Sequence, residues 1–202
     1  MPNAFSTSQT LTIAATGASG AIFARALLLA VERDARVAAV NFIASDNALR
    51  VFAEELKIKG RANLAQQLLG RKPAKIHQQN NDDIGANIAS GSYPTGAMII
   101  LPCSMGTLAG IAHGMAANLI QRAADVCLKE KRPLVLCVRE TPLNLIHIRN
   151  MAVAAEAGAT IYPLIPTLYN HPKNFEAMAH QFACRVLAFI GLPQKDAYVW
   201  GK

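Results

Sequence analysis

The chain has 202 residues, of which 52% are hydrophobic and 16% are charged, and its net charge is +7 with an isoelectric point near 9.5. This length fits a single domain with a large core, and we expect so apolar a chain to pack part of its surface against copies of itself. Because the basic residues are scattered and aromatic residues make up only 6%, we exclude a nucleic-acid interface and assign the charge to anionic small molecules and general surface.

The cysteines and histidines show neither disulfide nor metal-ligand spacing. There is no C-x-x-C pair, and the cysteines lie in apolar neighbourhoods at positions 103, 127, 137 and 184. We therefore predict buried, reduced thiols and no bound metal. The first ten residues lack the features of a signal peptide, and the apolar stretches are interrupted by Arg25, Gly96 or Pro102. We predict no membrane span and a cytoplasmic location.

Short apolar strands alternate with helical patterns along the chain. The predicted strands cover about 11–16, 36–43, 97–101, 133–138 and 158–163. The predicted helices cover about 20–33, 47–56, 108–114, 116–131, 144–157 and 174–190. We predict a loose tail at 1–10, a loop at 80–87 that continues into a segment at 88–95 rich in Ser, Gly and Pro, an irregular loop at 166–172, and a tail at 194–202 that packs on a neighbouring subunit. The periodic pattern is weak throughout 57–91. The alternation predicts one domain, 11–193, with a doubly wound parallel α/β sheet.

Residues 16–21, with the sequence T-G-A-S-G-A, connect the first strand to the first helix. Small side chains let backbone N–H groups approach an anion, and the N-terminus of the helix favours negative charge at the same place. Ser19 adds a hydroxyl group. This pattern is typical of a phosphate-binding turn, although an ordinary tight β–α turn has the same residues.

Other strands also end in small, hydroxyl or charged residues, namely Ser45, 104–107 and 139–140. In a doubly wound sheet, ligands bind at the carboxyl ends of the strands, where all these residues meet. The pattern favours a phosphate-bearing mononucleotide. A dinucleotide fits less well, because residues 16–21 are not G-x-G-x-x-G and the second strand ends in Ser45 rather than an acidic residue.

Three cations stand out by their helical positions. Arg122 and Lys129 lie about 20° apart around their helix, where they either grip an anion or are bridged by Asp125. Arg185 falls within the apolar stripe of the last helix, so its charge needs a carboxylate or a substrate phosphate as a partner, unless it reaches solvent. Tyr169, in the loop before that helix, offers a phenol donor.

The acid–base candidates are Glu140 and the pair Glu54 and Glu55. Glu140 follows Arg139, so it is either a proton-transfer group or part of a structural ion pair. Glu54 and Glu55 lie on the second helix, where paired carboxylates most often form a solvated face.

Five motifs occur together in this chain, in a combination that is highly specific. They are T-G-A-S-G-A at 16–21, A-S-G-S at 89–92, P-C-S-M-G-T-L at 102–108, N-L-I-Q-R-A-A-D-V-C-L-K-E-K-R-P-L-V-L at 118–136 and R-E-T-P at 139–142. They resemble the UbiX/Pad flavin prenyltransferases, long known as 3-octaprenyl-4-hydroxybenzoate carboxy-lyases. The similarity runs from about residue 11 to 193.

The resemblance implies a flavodoxin-like (Rossmann-like) homo-oligomer, typically a dodecamer built from trimers, with FMN at the subunit junctions. It implies metal-independent transfer of a dimethylallyl group from dimethylallyl monophosphate to N5 and C6 of reduced FMN. The product, prenylated FMN, serves UbiD-type decarboxylases, including the one in ubiquinone synthesis.

The resemblance also implies roles for individual residues. The residues expected to contact FMN are Gly17, Ala18, Ser19, Ser45, Ser104, Met105, Gly106, Thr107 and Arg139. The residues expected to bind the allylic substrate are Ser90 and Gly91, with Tyr169 and Arg185 from a neighbouring subunit. The expected catalytic residues are Ser19, Arg122, Lys129, Glu140 and Glu55, the last with Glu54 as its alternative.

One feature departs from the family pattern. Members often have a tryptophan before A-S-G-S as a wall of the prenyl pocket, whereas this chain has no tryptophan at 82–88 and offers Ile84 or Ile88 instead. Two other functions stay open at this stage: a flavin-dependent cysteine decarboxylase of the same fold, and a non-catalytic FMN carrier.

Overall fold

The structure, a computed structural model, describes residues 9–201 as a parallel sheet between helical layers. The strands are β1 (Gln9–Ala15), β2 (Val37–Ala44), β3 (Ile76–Gln79), β4 (Ala97–Cys103), β5 (Leu134–Val138) and β6 (Thr160–Ile161). The helices are α1 (Ala21–Arg33), α2 (Asp46–Leu56), α3 (Leu64–Leu69), α4 (Met105–Ala112), α5 (Leu119–Lys129), α6 (Leu145–Glu156) and α7 (Phe175–Phe189). The predicted loose tail lies outside the described residues, except that Gln9 and Thr10 already belong to β1.

The strand order is β3-β2-β1-β4-β5-β6, and every paired neighbour is parallel. Without the edge strand β3, this is the order of the flavodoxin-like fold, and the direction in which successive strands are added to the sheet reverses between β1 and β4. The prediction of a doubly wound parallel sheet is therefore confirmed. The reversal point identifies the ends of β1 and β4 as the expected ligand crevice.

The segment 57–91, where the periodic pattern is weak, contains α3, β3 and a short 3-10 turn at Asn87–Ala89. The sequence pattern did not predict α3 and β3 because each element is short. Strand β3 has four residues and only Ile76 is buried, so it lacks an apolar pattern. Helix α3 has six residues and lies between Asn63 and Gly70, which both adopt left-handed backbone angles.

Alternation along β4 divides the core into two layers. Ile99 and Leu101 pack on the side of α1 and α7, whereas Met98 and Ile100 pack on the side of α4 and α5. All four side chains are fully buried, as a strand covered on both faces requires. The sheet is thereby held rigidly between two helical layers, with its strand ends free to carry the site.

The segment after α7 is fastened to the amino end of β2. The carboxylate of Asp34 accepts hydrogen bonds from Arg36 Nε and Gln194 Nε2, both at 2.9 Å, and Arg36 also donates to the carbonyl of Pro193 at 2.9 Å. The hydrogen bonds from Arg36 hold the pKa of Asp34 well below its usual range. An ionised, buried carboxylate thus joins β2 to the end of the chain.

We predict that Gly17→Ala destabilises the protein. A Cβ at position 17 would lie 2.5 Å from the Cβ of Asn47, and overpacking of this kind costs about 1–3 kcal/mol. The expected result is a lower Tm for the flavin-free protein, measured by calorimetry at fixed protein concentration. Gly106→Ala is the matched control, since its Cβ would meet nothing within 4 Å. Equal Tm values for Gly17→Ala and wild type would contradict the close approach.

Candidate active site at the strand ends

A single hydroxyl group joins the two loops at the reversal point. Thr16 Oγ1 donates to the carbonyl of Pro102 at 3.0 Å and accepts from the backbone N–H of Ser104 at 2.8 Å. The Thr16 N–H donates to the same carbonyl at 3.0 Å. Because Thr16 is buried, water does not compete for these bonds. The loop after β1 and the loop after β4 therefore form one unit.

Backbone hydrogen bonds join the remaining strand ends to this unit. The Ser45 N–H donates to Ala15 O at 3.1 Å, and the Arg139 N–H donates to Cys103 O at 3.1 Å. The structure thus brings the FMN-contacting candidates to one edge of the sheet, as expected from the sequence. They are Gly17, Ala18, Ser19, Ser45, Ser104, Met105, Gly106, Thr107 and Arg139, with Glu140 beside them. Ser45 is also the N-cap of α2, since its side chain accepts from Ala48 N at 3.2 Å.

The N-terminus of α1 is occupied by a side chain of the protein. Glu55 accepts from the N–H groups of Gly20, at 3.1 and 3.2 Å, and of Ala21, at 2.7 Å. The expectation that this helix end is open to a phosphate is therefore wrong in the structure. The same contacts distinguish the two neighbouring glutamates, because Glu55 is the one held at the crevice, next to Ser19.

The N-terminus of α4 remains open. Ser104 Oγ accepts from Thr107 N at 3.4 Å and donates to Thr107 Oγ1 at 3.1 Å, so both hydroxyls cap the first turn. A Cβ on Gly106 would meet nothing within 4 Å, so there is open space in front of this turn. The side chain of Met105 is buried in the core beneath it. Met105 therefore offers its backbone rather than its side chain to a ligand.

A second group of predicted residues lies along α5. Arg122 Nε donates to Ala89 O at 3.1 Å, and its guanidinium pairs with Asp125 at 2.8 Å. Lys129 pairs with Glu130, so Asp125 does not bridge the two cations. Lys129 ends α5 five residues before β5 begins, which puts it at the amino edge of the sheet. The length of β4, about 20 Å, separates that edge from Ser19.

Arg132 is a functional candidate that the sequence reasoning missed. Its guanidinium donates to Tyr93 O at 2.8 Å and to Gly91 O at 2.5 Å. Together with Arg122, it fastens the backbone of the A-S-G-S loop, which contains Ser90 and Gly91, onto α5. The signal was present as the densest basic cluster, 129–132, but its target is 39 residues away in the chain.

Arg185 and Tyr169 form a third group. Arg185 NH1 donates to the Tyr169 hydroxyl at 3.3 Å. Arg185 also lines a cavity of about 240 Å³ beside β6, together with Tyr162 and Phe182. Arg185 is exposed, so of the alternatives that the sequence left open for this residue, the structure shows the one in which it reaches solvent. Burial raises the pKa of the Tyr162 phenol, and the nearby Arg185 opposes that shift.

Aromatic residues from the end of the chain cover Tyr169. The ring centroids of Trp200 and Tyr198 lie 5.0 and 5.5 Å from that of Tyr169. Within residues 9–201, no hydrogen bond or ion pair links Arg185 or Tyr169 to Arg122 and Lys129 on α5. Nor does one link them to the FMN-contacting candidates at the strand ends, here called the strand-end group. One chain therefore holds three separate parts of the predicted site.

The loop that lacks the family tryptophan presents one exposed isoleucine. Ile84 is 59% exposed, whereas Ile88 is buried in the core against α5. Of the two predicted substitutes, only Ile84 has a side chain that is free to face a ligand.

The fold and the strand-end crevice agree with the comparison to known families, in which a model for flavoproteins matches residues 3–181. A doubly wound sheet with hydroxyl-lined loops at its reversal point and this match define the chain as a flavoprotein. The flavin prenyltransferase UbiX of Salmonella typhimurium is 42% identical over 91% of this chain and 92% of its own length. The flavin prenyltransferase UbiX of Alkalihalophilus pseudofirmus is 39% identical over 95% of this chain and 96% of its own length. The chain belongs to the UbiX flavin prenyltransferase family.

Solved structures agree with this family. AnUbiX (PadA1), crystallised in complex with FMN and dimethylallyl pyrophosphate, superposes with a TM-score of 0.85 at 36% identity, over 96% of this chain and 98% of its own. A dodecameric FMN-dependent UbiX-like decarboxylase from Escherichia coli O157:H7 superposes with a TM-score of 0.84 at 39% identity. The match covers 96% of this chain and 100% of the decarboxylase chain. The peptidyl-cysteine decarboxylase EpiD shares only the fold, with 17% identity and a TM-score of 0.54. This match covers 79% of this chain and 88% of EpiD.

None of the helices formed by residues 9–201 has both the length and the hydropathy that crossing a membrane requires. All four cysteines in this range are unpaired and buried, as predicted.

We predict that Arg132→Lys raises the KM for the allylic phosphate and leaves the Kd for FMN unchanged. A lysine cannot donate to two separate carbonyls in the fixed geometry of arginine. Each lost charge-assisted bond weakens the loop by about 1.5–3 kcal/mol, so we expect a rise of about tenfold or more. Steady-state kinetics and flavin titration measure the two constants.

The control is Lys131→Asn, which removes a neighbouring exposed charge, and asparagine tolerates the left-handed backbone of Lys131. An unchanged KM in Arg132→Lys, or equal effects in both variants, would contradict the positioning role of Arg132.

Proposed function

We propose that this chain is a flavin prenyltransferase that joins the dimethylallyl group of dimethylallyl monophosphate to N5 and C6 of reduced FMN. The observation that carries the proposal is the crevice between the loops joined by Thr16, in a chain about 40% identical to named flavin prenyltransferases. The solved neighbour with both FMN and a dimethylallyl phosphate ester supports the pair of substrates.

The strand-end residues fit a flavin mononucleotide. The small residues Gly17 and Ala18 leave the backbone accessible, and Ser19, Ser45, Ser104 and Thr107 offer hydroxyl groups. The first turn of α4 offers N–H donors in front of open space at Gly106, and Arg139 adds a cation. Reduced FMN, when bound there, supplies the nucleophilic atoms of the reaction. A dinucleotide would need the N-terminus of α1, which Glu55 occupies.

We infer that the complete site forms between copies of the chain. Lys129 and Ser19 of one chain lie at opposite edges of the sheet, so they cannot bind one phosphate group together. Exposed apolar residues available for subunit contacts include Leu145, Ile146 and Phe175, which are 59%, 66% and 73% exposed. A homo-oligomer built as a dodecamer, like the Escherichia coli neighbour, would bring the three parts of the site together.

In such an assembly, the cations hold the departing phosphate. Arg122, Lys129 and Arg139 stabilise the negative charge that develops as the C–O bond breaks, and Ser19 donates a hydrogen bond. Arg185 and Tyr169 of a neighbouring copy bind the same phosphate, and Ser90 and Gly91 shape its other side. This stabilisation favours allyl cation character in the five-carbon group.

The carboxylates complete the reaction. Closure of the new ring at C6 releases a proton, for which Glu140, Glu55 and the departing phosphate are the candidate acceptors. Apolar side chains, Ile84 among them, exclude water that would otherwise capture the allyl cation.

The product of the proposed reaction is a cofactor for a second enzyme. Prenylated FMN is expected to pass to a UbiD-type decarboxylase, in ubiquinone biosynthesis or aromatic acid decarboxylation. We place the enzyme in the cytoplasm, because its unpaired thiols suit a reducing compartment. We propose that residues 11–193 form the flavoprotein domain. Because residues 194–200 contact Asp34, Gln181 and Tyr169 of the same chain, any packing of this segment on a neighbouring subunit would come in addition to these contacts.

The decisive experiment supplies anaerobic, reduced FMN and dimethylallyl monophosphate to the purified protein. We expect mass spectrometry to show a flavin heavier by one C5H8 unit and an equal amount of inorganic phosphate. Bound FMN with no heavier flavin would overturn the proposal. Lys129→Ala and Glu140→Ala are expected to bind FMN but lose product formation, whereas a flavin carrier would function equally well with either substitution.

We predict that Arg185→Ala raises the KM for the allylic phosphate by about tenfold or more, since a charge-assisted hydrogen bond contributes about 1.5–3 kcal/mol. The Kd for FMN should change little, because Arg185 lies outside the strand-end group. Arg71→Ala, which removes an exposed charge elsewhere, is the control. Equal losses of both affinities would contradict the assignment of Arg185.

A further inference from the structure

Three potential metal ligands meet outside the proposed active site. His180 and Cys184 lie one turn apart on α7, and Asp196 approaches them from the segment after that helix. The distance from His180 Nε2 to Asp196 Oδ2 is 2.7 Å, and that from His180 Nε2 to Cys184 Sγ is 3.4 Å. All three ligand atoms lie within 4.8 Å of one another. The sequence reasoning missed this cluster because Asp196 lies twelve residues beyond the helical pair.

One nitrogen, Nε2 of His180, is shared by two neighbours. Both the carboxylate and the thiol approach it, and it carries at most one hydrogen. When Nε2 is protonated it donates to Asp196, and it does not then accept from the thiol of Cys184. When Nε2 is unprotonated it accepts from Cys184, and it then faces the lone pairs of a carboxylate oxygen at 2.7 Å. A cation between the three atoms satisfies all of them at once.

We propose that His180 Nε2, Cys184 Sγ and Asp196 Oδ2 bind a soft divalent cation of the Zn²⁺ class. Tetrahedral Zn²⁺ has bonds of about 2.0–2.3 Å, which set its ligand atoms about 3.3–3.6 Å apart. The histidine–cysteine distance already matches this spacing. The carboxylate must withdraw by about 0.6 Å, which is easy for a side chain that is 68% exposed.

The charge balance of the site is simple. Imidazole is neutral, and the thiolate and carboxylate together carry two negative charges, which Zn²⁺ neutralises. The thiol proton leaves to the buffer when the Zn–S bond forms, and water fills the fourth position. Arg33 and Lys195 lie nearby and oppose a cation, so the site depends on its two anionic ligands.

The ligands are held in place, and an ion can reach them. Gln181 donates to Asp196 O at 3.0 Å and accepts from Tyr198 N at 2.7 Å, which fastens the segment to α7 on both sides of Ala197. His180 and Asp196 line a cavity of about 1000 Å³ over the outer face of α1. Cys184 closes the buried side of the site.

A cation here would fasten the end of the chain close to Tyr169 and Arg185, the residues proposed to bind the allylic phosphate. The same segment continues to Tyr198 and Trp200, which pack on Tyr169. The proposed cation therefore stabilises the arrangement of aromatic residues beside Arg185 without taking part in prenyl transfer.

The test measures metal binding directly and needs no catalytic activity. The full-length protein is freed of metal with a chelator, kept reduced, and titrated with ZnCl₂ by calorimetry and with CoCl₂ by absorption. We expect about one ion per chain and, for Co²⁺, a thiolate-to-metal charge-transfer band in the near ultraviolet. Cys184→Ser should abolish that band. Asp196→Asn, a surface change that leaves folding intact, should weaken binding by about 100-fold or more.

Matched controls exclude binding elsewhere. Cys127→Ser removes another buried thiol, and His77→Ala removes an exposed histidine. Both should bind Zn²⁺ and Co²⁺ as the wild type does. The proposal is overturned if the wild type binds neither ion, or if Asp196→Asn and Cys184→Ser bind both ions with unchanged affinity and an unchanged cobalt spectrum. Neither result bears on prenyl transfer, which is measured separately.

Discussion

The buried hydroxyl of Thr16 is the contact on which the rest of the site depends. It donates to Pro102 in β4 and accepts from Ser104 in the loop that follows, so the two strands on either side of the reversal point end in one rigid unit. Threonine suits this position because a hydroxyl both donates and accepts, and because its β-branched side chain restricts the rotamer. With this pair of bonds in place, the small residues after β1 and the hydroxyl-rich turn after β4 face a common space.

Electrostatics at the helix ends decides how that space is used. Two helices, α1 and α4, point their N-termini towards the same edge, and each is a potential anion site. The protein fills the first with its own Glu55 and leaves the second open. The two helix N-termini therefore have different roles in the proposed reaction. That of α1 holds a carboxylate close to the proposed chemistry, and that of α4 offers N–H donors to a phosphate.

Parallel sheet geometry separates the residues of the proposed site within one chain. Strand β4 separates the edge that carries Ser19 from the edge that carries Lys129, and Arg185 belongs to a third location beside β6. The proposed reaction needs a flavin site, a cluster of cations and a further arginine, and we propose that it draws them from different copies. In that proposal, the exposed apolar side chains of α6 and the loop fastened by Arg132 are parts of a subunit junction.

The sequence alone determined the doubly wound parallel sheet and the identity of the strand-end residues, because alternation of apolar strands with amphipathic helices depends on local order. The sequence pattern did not predict short elements such as α3 and β3, because four to six residues show too little periodicity. Only the tertiary structure decided that Glu55 caps α1, that Arg132 holds the loop at Gly91, that Arg185 is exposed, and that Asp196 meets His180 and Cys184. Each of these depends on contacts between residues distant in the chain, and local pattern does not specify which distant partner a side chain reaches.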